Sequence, residues 1–196
     1  MAGGQRPLAY VFWHWPRAEA PRAAYERDLA AFHAALRAAR PRGFLDSTTF
    51  RVAAPPFGSR RDGYEDWYLV DDFAALGVLE TAAVVDAGGV GERHDRAARA
   101  AETGTAGLYG LRAGRPGLGS GVAHWFRKPD DLGYGDLDEL LAPLLDGGGG
   151  AGAGLWQRKL TFGPAPEFCV AAAGRLELPA DLEVLAAGRT RLPDRP

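Results

Sequence analysis

The sequence predicts an α+β protein built from two tandem βαββαβ units packed sheet to sheet, with the second unit truncated. Three observations carry this. Aromatic and β-branched runs of strand length alternate with segments whose apolar residues form one helical stripe. Local words recur at nearly constant spacing: His14-Trp15 returns as His124-Trp125, Thr49-Phe50 as Thr161-Phe162, and Tyr64-Glu65 as Pro166-Glu167. A Gly- and Pro-rich stretch, residues 113–121, reads as the linker between the copies. The first unit is therefore 1–112 and the second 122–196.

Residues 8–15 are rich in aromatic and β-branched types and read as a strand, closed by Pro16. Pro21 suits a first helical turn. Tyr25, Leu29, Phe32 and Leu36 then share one stripe, and Arg37 and Arg40 sit where cations meet the negative end of the helix dipole. Pro41 and Gly43 end that helix. Residues 44–53 and 64–70 read as strands around a Pro/Gly/Arg loop at 54–63. Asp71 and Asp72 offer N-caps for a helix carrying Phe73, Leu76 and Leu79. A polar helical piece around 92–102 and a short strand at 107–112 complete the unit.

The second unit opens with a strand at 122–127. Its helix carries Leu137, Leu140, Leu141 and Leu144 on one stripe, with Pro143 bending or ending it. The connector 146–154 holds Gly147–Gly150, which lacks the Lys-Ser/Thr of a phosphate loop. Strands at 155–162 and 167–173 follow. Pro179, Asp181, Leu182 and Leu185 read as a short helix ending at Gly188, and Arg189 to Pro196 as a loose tail. The last strand of the second unit is then missing. Its absence would leave a sheet edge for a second subunit to cover, so a homodimer is expected.

The bulk numbers exclude several classes. At 196 residues, 46% hydrophobic and 24% charged, the chain is one globular domain or two small fused halves. A net charge of −2 supplies no attraction for nucleic acid or an anionic membrane surface, and neither partner is expected. Only Lys128 and Lys159 among the 23 basic residues are lysines, so the arginines read as the codon bias of a GC-rich genome. Cys169 is alone, which rules out an intrachain disulfide or a cysteine metal cluster; its strand setting favours a buried small residue. Residues 1–7 lack the apolar core of a signal peptide, and no run approaches the roughly 18 apolar residues of a membrane span. A cytoplasmic protein is expected.

A βαββαβ unit is the ferredoxin-like split βαβ, an antiparallel sheet with helices on one face. The other face must be buried. Two such units back to back resemble the dimeric α/β-barrel superfamily in a fused tandem form. The resemblance rests on a strand, a Tyr/Phe-bearing helix, a Gly43-Phe44 strand, and an aromatic strand running into Asp72-Phe73-Ala74-Ala75-Leu76. It spans nearly the whole chain. Trp156-Gln157-Arg158 and the words from Gly163 to Cys169 are similar to those of uncharacterised proteins of GC-rich bacteria. The superfamily includes small cofactor-free monooxygenases, haem-degrading enzymes, chlorite dismutase-like proteins and isomerases. The resemblance implies a small-molecule site without naming a reaction.

Strand alternation puts Tyr10, Phe12 and His14 on one face and Val11, Trp13 and Trp15 on the other. First and third strands are neighbours in a ferredoxin-like sheet. His14 is thus expected near Glu65 or Asp66, and His124 near Glu167. A carboxylate beside an imidazole orients it and raises its basicity, which suits a general base near neutral pH. The candidate catalytic set is His14, His124, Glu65 and Glu167; the competing reading is a pair of structural hydrogen bonds. His33 and His94 read as structural or solvated. Trp15, Trp67, Trp125 and Trp156 either fill the core with Trp13 or line a pocket for a flat apolar ligand between the sheets. Arg158, mid-strand, would clamp a ligand carboxylate or phenolate, or pair with Glu167.

No His-x-x-x-His spacing marks a metal site. A haem would need only one axial His, but nothing in the sequence selects one, so no cofactor is expected. Ser47, Ser59 and Ser120 lack a Gly-x-Ser-x-Gly elbow. Two functions stay open. One is a cofactor-independent monooxygenase or isomerase acting on an apolar or aromatic substrate, with a His base and Arg158 stabilising the anion. The other is a non-enzymatic ligand-binding, stress-response or dimerisation module. The Arg60-Arg61 loop of the first half and Arg158 of the second favour one asymmetric site over two equal ones.

Overall fold

A computed structural model describes residues 6–53, 55–57, 61–85, 89–146 and 152–193. Ser59, Arg60 and Gly147–Gly150 lie outside the described residues. In chain order the elements are β1 (Leu8–Pro16), α1 (Arg22–Ala39), β2 (Phe44–Val52), β3 (Gly63–Val70) and α2 (Phe73–Glu80). A π-helical turn (Thr81–Val85), α3 (Gly89–Ala100), β4 (Ala101–Gly114) and β5 (Gly121–Phe126) follow. The chain continues with α4 (Tyr134–Asp146), β6 (Gly154–Arg158), β7 (Phe168–Ala172) and β8 (Val184–Arg191). Local chemistry sets several boundaries. The Asp72 carboxylate accepts from Ala75 N at 2.8 Å and starts α2. Arg40, left-handed at φ 46°, donates its N–H to the Leu36 carbonyl and stops α1.

The strands close into one antiparallel barrel in the order β1-β3-β2-β8-β5-β7-β6-β4. This corrects the expected pair of ferredoxin-like repeats packed sheet to sheet. The sheets meet edge to edge: β2 pairs with β8 through Phe50–Arg191 to Val52–Arg189, and β4 pairs with β6 through Tyr109–Arg158 to Gly114–Gly154. Closure satisfies the edge N–H and C=O groups that stacked sheets would leave open.

The second half is not truncated at its last strand. Residues 184–191, predicted as helix and tail, form β8, bonded to β5 on one side and β2 on the other. The sheet edge that motivated a homodimer is therefore occupied by the chain itself.

Inner and outer faces alternate along each strand. Inside lie Val11, Trp13, Trp15, Phe50, Trp67, Tyr109, Trp125 and Trp156, all at 0–1% exposure. Their rings interlock, with Trp13 and Trp125 centroids 5.3 Å apart and Trp67 and Trp156 5.2 Å. Each such ring stabilises the fold by about 1.5–3 kcal/mol. Phe57, from the loop after β2, plugs the interior against Trp13 and Trp125. Outside, α1, α2 and α3 cover β1, β3 and β4, and α4 covers the β5–β7 region. Among the described residues no single helix is long and apolar enough to cross a membrane.

Candidate functional site

The chemistry concentrates beneath α1, on the outer face of β1 and β3. His14 of β1, Asp66 of β3 and His33 of α1 are all buried there. His14 Nε2 lies 3.2 Å from Asp66 Oδ2 and His33 Nε2 lies 3.5 Å from Oδ1. Their angles make these charge contacts rather than aligned hydrogen bonds. Tyr68 donates its hydroxyl to Asp66 Oδ2 at 2.9 Å. The Tyr25 hydroxyl lies 2.5 Å from His14 Nδ1. His33 stacks on Tyr68, and His14 on Tyr64.

Burial alone would raise the Asp66 carboxyl; the charges of His14 and His33 overcome it and hold the group well below the usual carboxylate range. Burial, and then the Asp66 charge, push the Tyr68 and Tyr25 hydroxyls well above the ordinary tyrosine value. The result is an ionised carboxylate held between two imidazoles and two neutral phenols.

Tyr68 carries this cluster to the wall of a cavity. A space of about 360 Å³ opens between the sheet and the helices, walled by Phe12, Phe32, Leu76, Leu79 and Ala83. Tyr10, Tyr68, Glu80 and His94 give it polar points. Tyr68 thus belongs to both cavity and carboxylate cluster. The π-helical turn supplies Ala83 and Val84 to the wall, a local distortion that often accompanies function.

The predicted site residues fall in four places. His14 meets Asp66, as one of its two expected partners. Glu65, the other, faces the barrel interior, where it accepts from Trp13 Nε1 at 2.8 Å and Trp67 Nε1 at 2.6 Å and pairs with Arg189 at 3.5 Å. His124 does not meet Glu167. Its Nδ1 lies 3.2 Å from the Val170 carbonyl and its Nε2 accepts from Leu176 N at 3.0 Å. Glu167 accepts from the Lys128 backbone N–H at 3.3 Å. Trp15, Trp67, Trp125 and Trp156 are fully buried core rings; the space between the sheets, where a ligand was expected, is filled by them. Arg158 sits at one end of the barrel, its Nη1 donating to the Gly163 carbonyl at 2.9 Å.

Sequence reasoning gave no site role to Tyr68 or Tyr10, read His33 as structural or solvated, and did not foresee the cavity wall. A period-2 signal was available for Tyr68, since Tyr64, Asp66 and Tyr68 share one face of β3. His33 lies on the buried side of α1 beside Phe32, a polar residue on an apolar stripe.

Eight antiparallel strands closed into a barrel with helices outside define the fold class. Solved structures share it. The chain is similar to a crystal structure from Lactobacillus acidophilus NCFM, provisionally designated a monooxygenase, at 11% identity and a TM-score of 0.52, with 97% of each chain covered. It is similar to a second crystal structure, provisionally designated a chlorite dismutase, at 14% identity and a TM-score of 0.51, with 95% of each chain covered. At this identity the likeness is one of fold alone. No protein-family profile and no curated protein sequence matches the chain.

Proposed function

We propose that this protein binds a small, flat, hydroxylated apolar molecule in the cavity between α1–α3 and the outer face of β1 and β3. One observation carries the reading: Tyr68 lines the cavity and spends its only proton on Asp66. Toward a ligand its oxygen can then only accept, so it selects a ligand O–H. The surrounding Phe12, Phe32, Leu76 and Leu79 supply an apolar slot of a size that suits a compact ligand.

The test is binding of 2-naphthol against naphthalene. Tyr68→Phe is expected to weaken 2-naphthol about tenfold, or 1.4 kcal/mol, and to leave naphthalene unchanged. Equal effects on both ligands would remove Tyr68 as the selecting group.

A second, enzymatic reading is favoured by the continuity of the cluster. A proton leaving the ligand hydroxyl reaches the Tyr68 oxygen as the Tyr68 proton passes to Asp66 and on to whichever of His14 and His33 is unprotonated. That is the proton path a cofactor-independent monooxygenase or isomerase with a His base requires. Its signature is a naphtholate absorption band for the bound ligand near neutral pH; a bound ligand with only the naphthol band refutes it.

A further inference from the structure

A second site lies at one end of the barrel, separate from the cavity under α1. Leu111 and Tyr109 of β4 share the inner face with Trp156 and Arg158 of β6, and Tyr109 stands directly opposite Arg158 in the ladder. An arginine on the inner face of a barrel filled with tryptophan requires a physical reason. Its Nη1 is used by the Gly163 carbonyl. Its Nε is buried and meets no acceptor among the described residues. The same holds for the Tyr109 hydroxyl and the Trp125 indole N–H, in residues with 0% exposure. The Tyr109 and Trp125 rings are 5.3 Å apart. Each orphaned buried donor costs about 1–3 kcal/mol. Tyr109 and Trp125 lie deeper in the barrel; Arg158 alone of the three lines an open rim, where an acceptor can be supplied from outside.

A polar pocket of about 570 Å³ opens at this rim. Arg158, Arg127 and Lys128 line it, with Asp130, Glu167 and Tyr134. Lys128 Nζ is already bonded to the carbonyls of Pro129 at 2.6 Å and Leu132 at 2.5 Å, so it contributes charge rather than a free donor. Arg158 has no ion pair with Glu167 among those formed by the described residues. Three cations facing two carboxylates suit a ligand with a single negative charge. A dianion such as phosphate would meet Asp130 and Glu167 at close range.

We propose that this rim binds a small carboxylic acid as its carboxylate, anchored on Arg158. The Nε edge of a guanidinium holds a carboxylate in a two-pronged grip, and Nε is the unpartnered atom here. Tyr134, Leu160 and Ala165 offer an apolar wall for the body of the acid.

The test is calorimetric titration of the whole chain with sodium benzoate and, separately, inorganic phosphate at matched ionic strength. Saturable benzoate binding is expected, with no phosphate binding. Arg158→Lys keeps the charge and the stem but loses the Nε edge, and is expected to weaken benzoate at least about tenfold. Arg175→Gln, a charge beside His124 in a pocket that shares no residue with this rim, leaves it unchanged. Benzoate also raises the Tm of the wild type and not of Arg158→Lys, a readout that checks folding of the variant at the same time. Ala83→Phe, which fills the other cavity, leaves benzoate binding intact, so failure there does not touch this site. Absence of benzoate binding, unaltered binding in Arg158→Lys, equal loss in Arg175→Gln, or displacement of benzoate by phosphate overturns the proposal.

Discussion

Glu65 and Asp66 are chain neighbours that serve opposite sides of the barrel wall. Glu65 points inward to Trp13, Trp67 and Arg189, and Asp66 points outward to His14, His33 and Tyr68. One peptide unit of β3 therefore carries two buried carboxylates with separate duties. The inner one joins β3 to β8, and the outer one holds the Tyr68 hydroxyl at the cavity wall.

Removing the outer charge strands its partners. Asp66→Asn leaves His14 and His33 packed together with no counter-charge and is expected to destabilise the fold by about 3–5 kcal/mol. Urea denaturation measures it. A loss below about 1 kcal/mol, the range of surface pairs, would show that the carboxylate is dispensable to the fold.

The inner pair is expected to behave as a unit. Arg189 lies over Phe50 and Trp67 and is wholly buried, so Arg189→Met leaves Glu65 charged inside the barrel. That single change should cost about 3–5 kcal/mol, and adding Glu65→Gln should recover part of it. Strict additivity in the double-mutant cycle would show that the two groups do not interact.

His124 sets one pH dependence. Burial is the main cause holding its imidazole below the ordinary value of 6.5. The unfolded chain therefore binds the proton more readily than the folded one. Stability from this group is complete above about 6.5 and is lost as pH falls from there through the lower folded value. The fall in Tm between neutral pH and pH 5 should shrink in His124→Gln. An unchanged pH slope in the variant would assign the effect elsewhere.

Filling the cavity should block its ligand. Ala83 is buried in the π-helical turn at the cavity wall. Ala83→Phe is expected to weaken 2-naphthol by at least about tenfold, equivalent to 1.4 kcal/mol. Undiminished binding would place the ligand outside this cavity.

Gly154 closes the β4–β6 seam so tightly that any side chain would run into the Arg115 carbonyl. Gly154→Ala should destabilise by about 1–3 kcal/mol, read as a lower Tm, because backbone has to move. An unchanged Tm would show that the seam is loose.

Most elements of the first half were legible because each carries its own signal: the Tyr25-Leu29-Phe32-Leu36 stripe, the Asp72 cap, the aromatic alternation of β1. The strand β8 was not. Its buried residues are Ala187 and Arg189, so the usual run of buried apolar side chains is replaced by a small residue and a charge paired with Glu65. Pro179 and Asp181 just before it mimic a helix start, and the pairing with β2 and β5 overrides that local preference. Barrel closure was invisible for the same reason: it depends on β2 meeting β8, which no local pattern encodes. At the site, alternation grouped His14 with Tyr10 and Phe12 but did not show that this face lies outside the barrel beneath α1, and it could not decide between Glu65 and Asp66 by proximity alone. Counting faces on β3 from Tyr64 would have chosen Asp66.

All five tryptophans are sealed inside the barrel, and none lines the cavity, whose aromatic residues are tyrosines, phenylalanines and a histidine. The molecule thus carries two optically distinct compartments. Indole emission tracks whether the barrel is intact and stays nearly indifferent to polarity changes in the cavity, while a fluorescent guest there can be followed against that steady background.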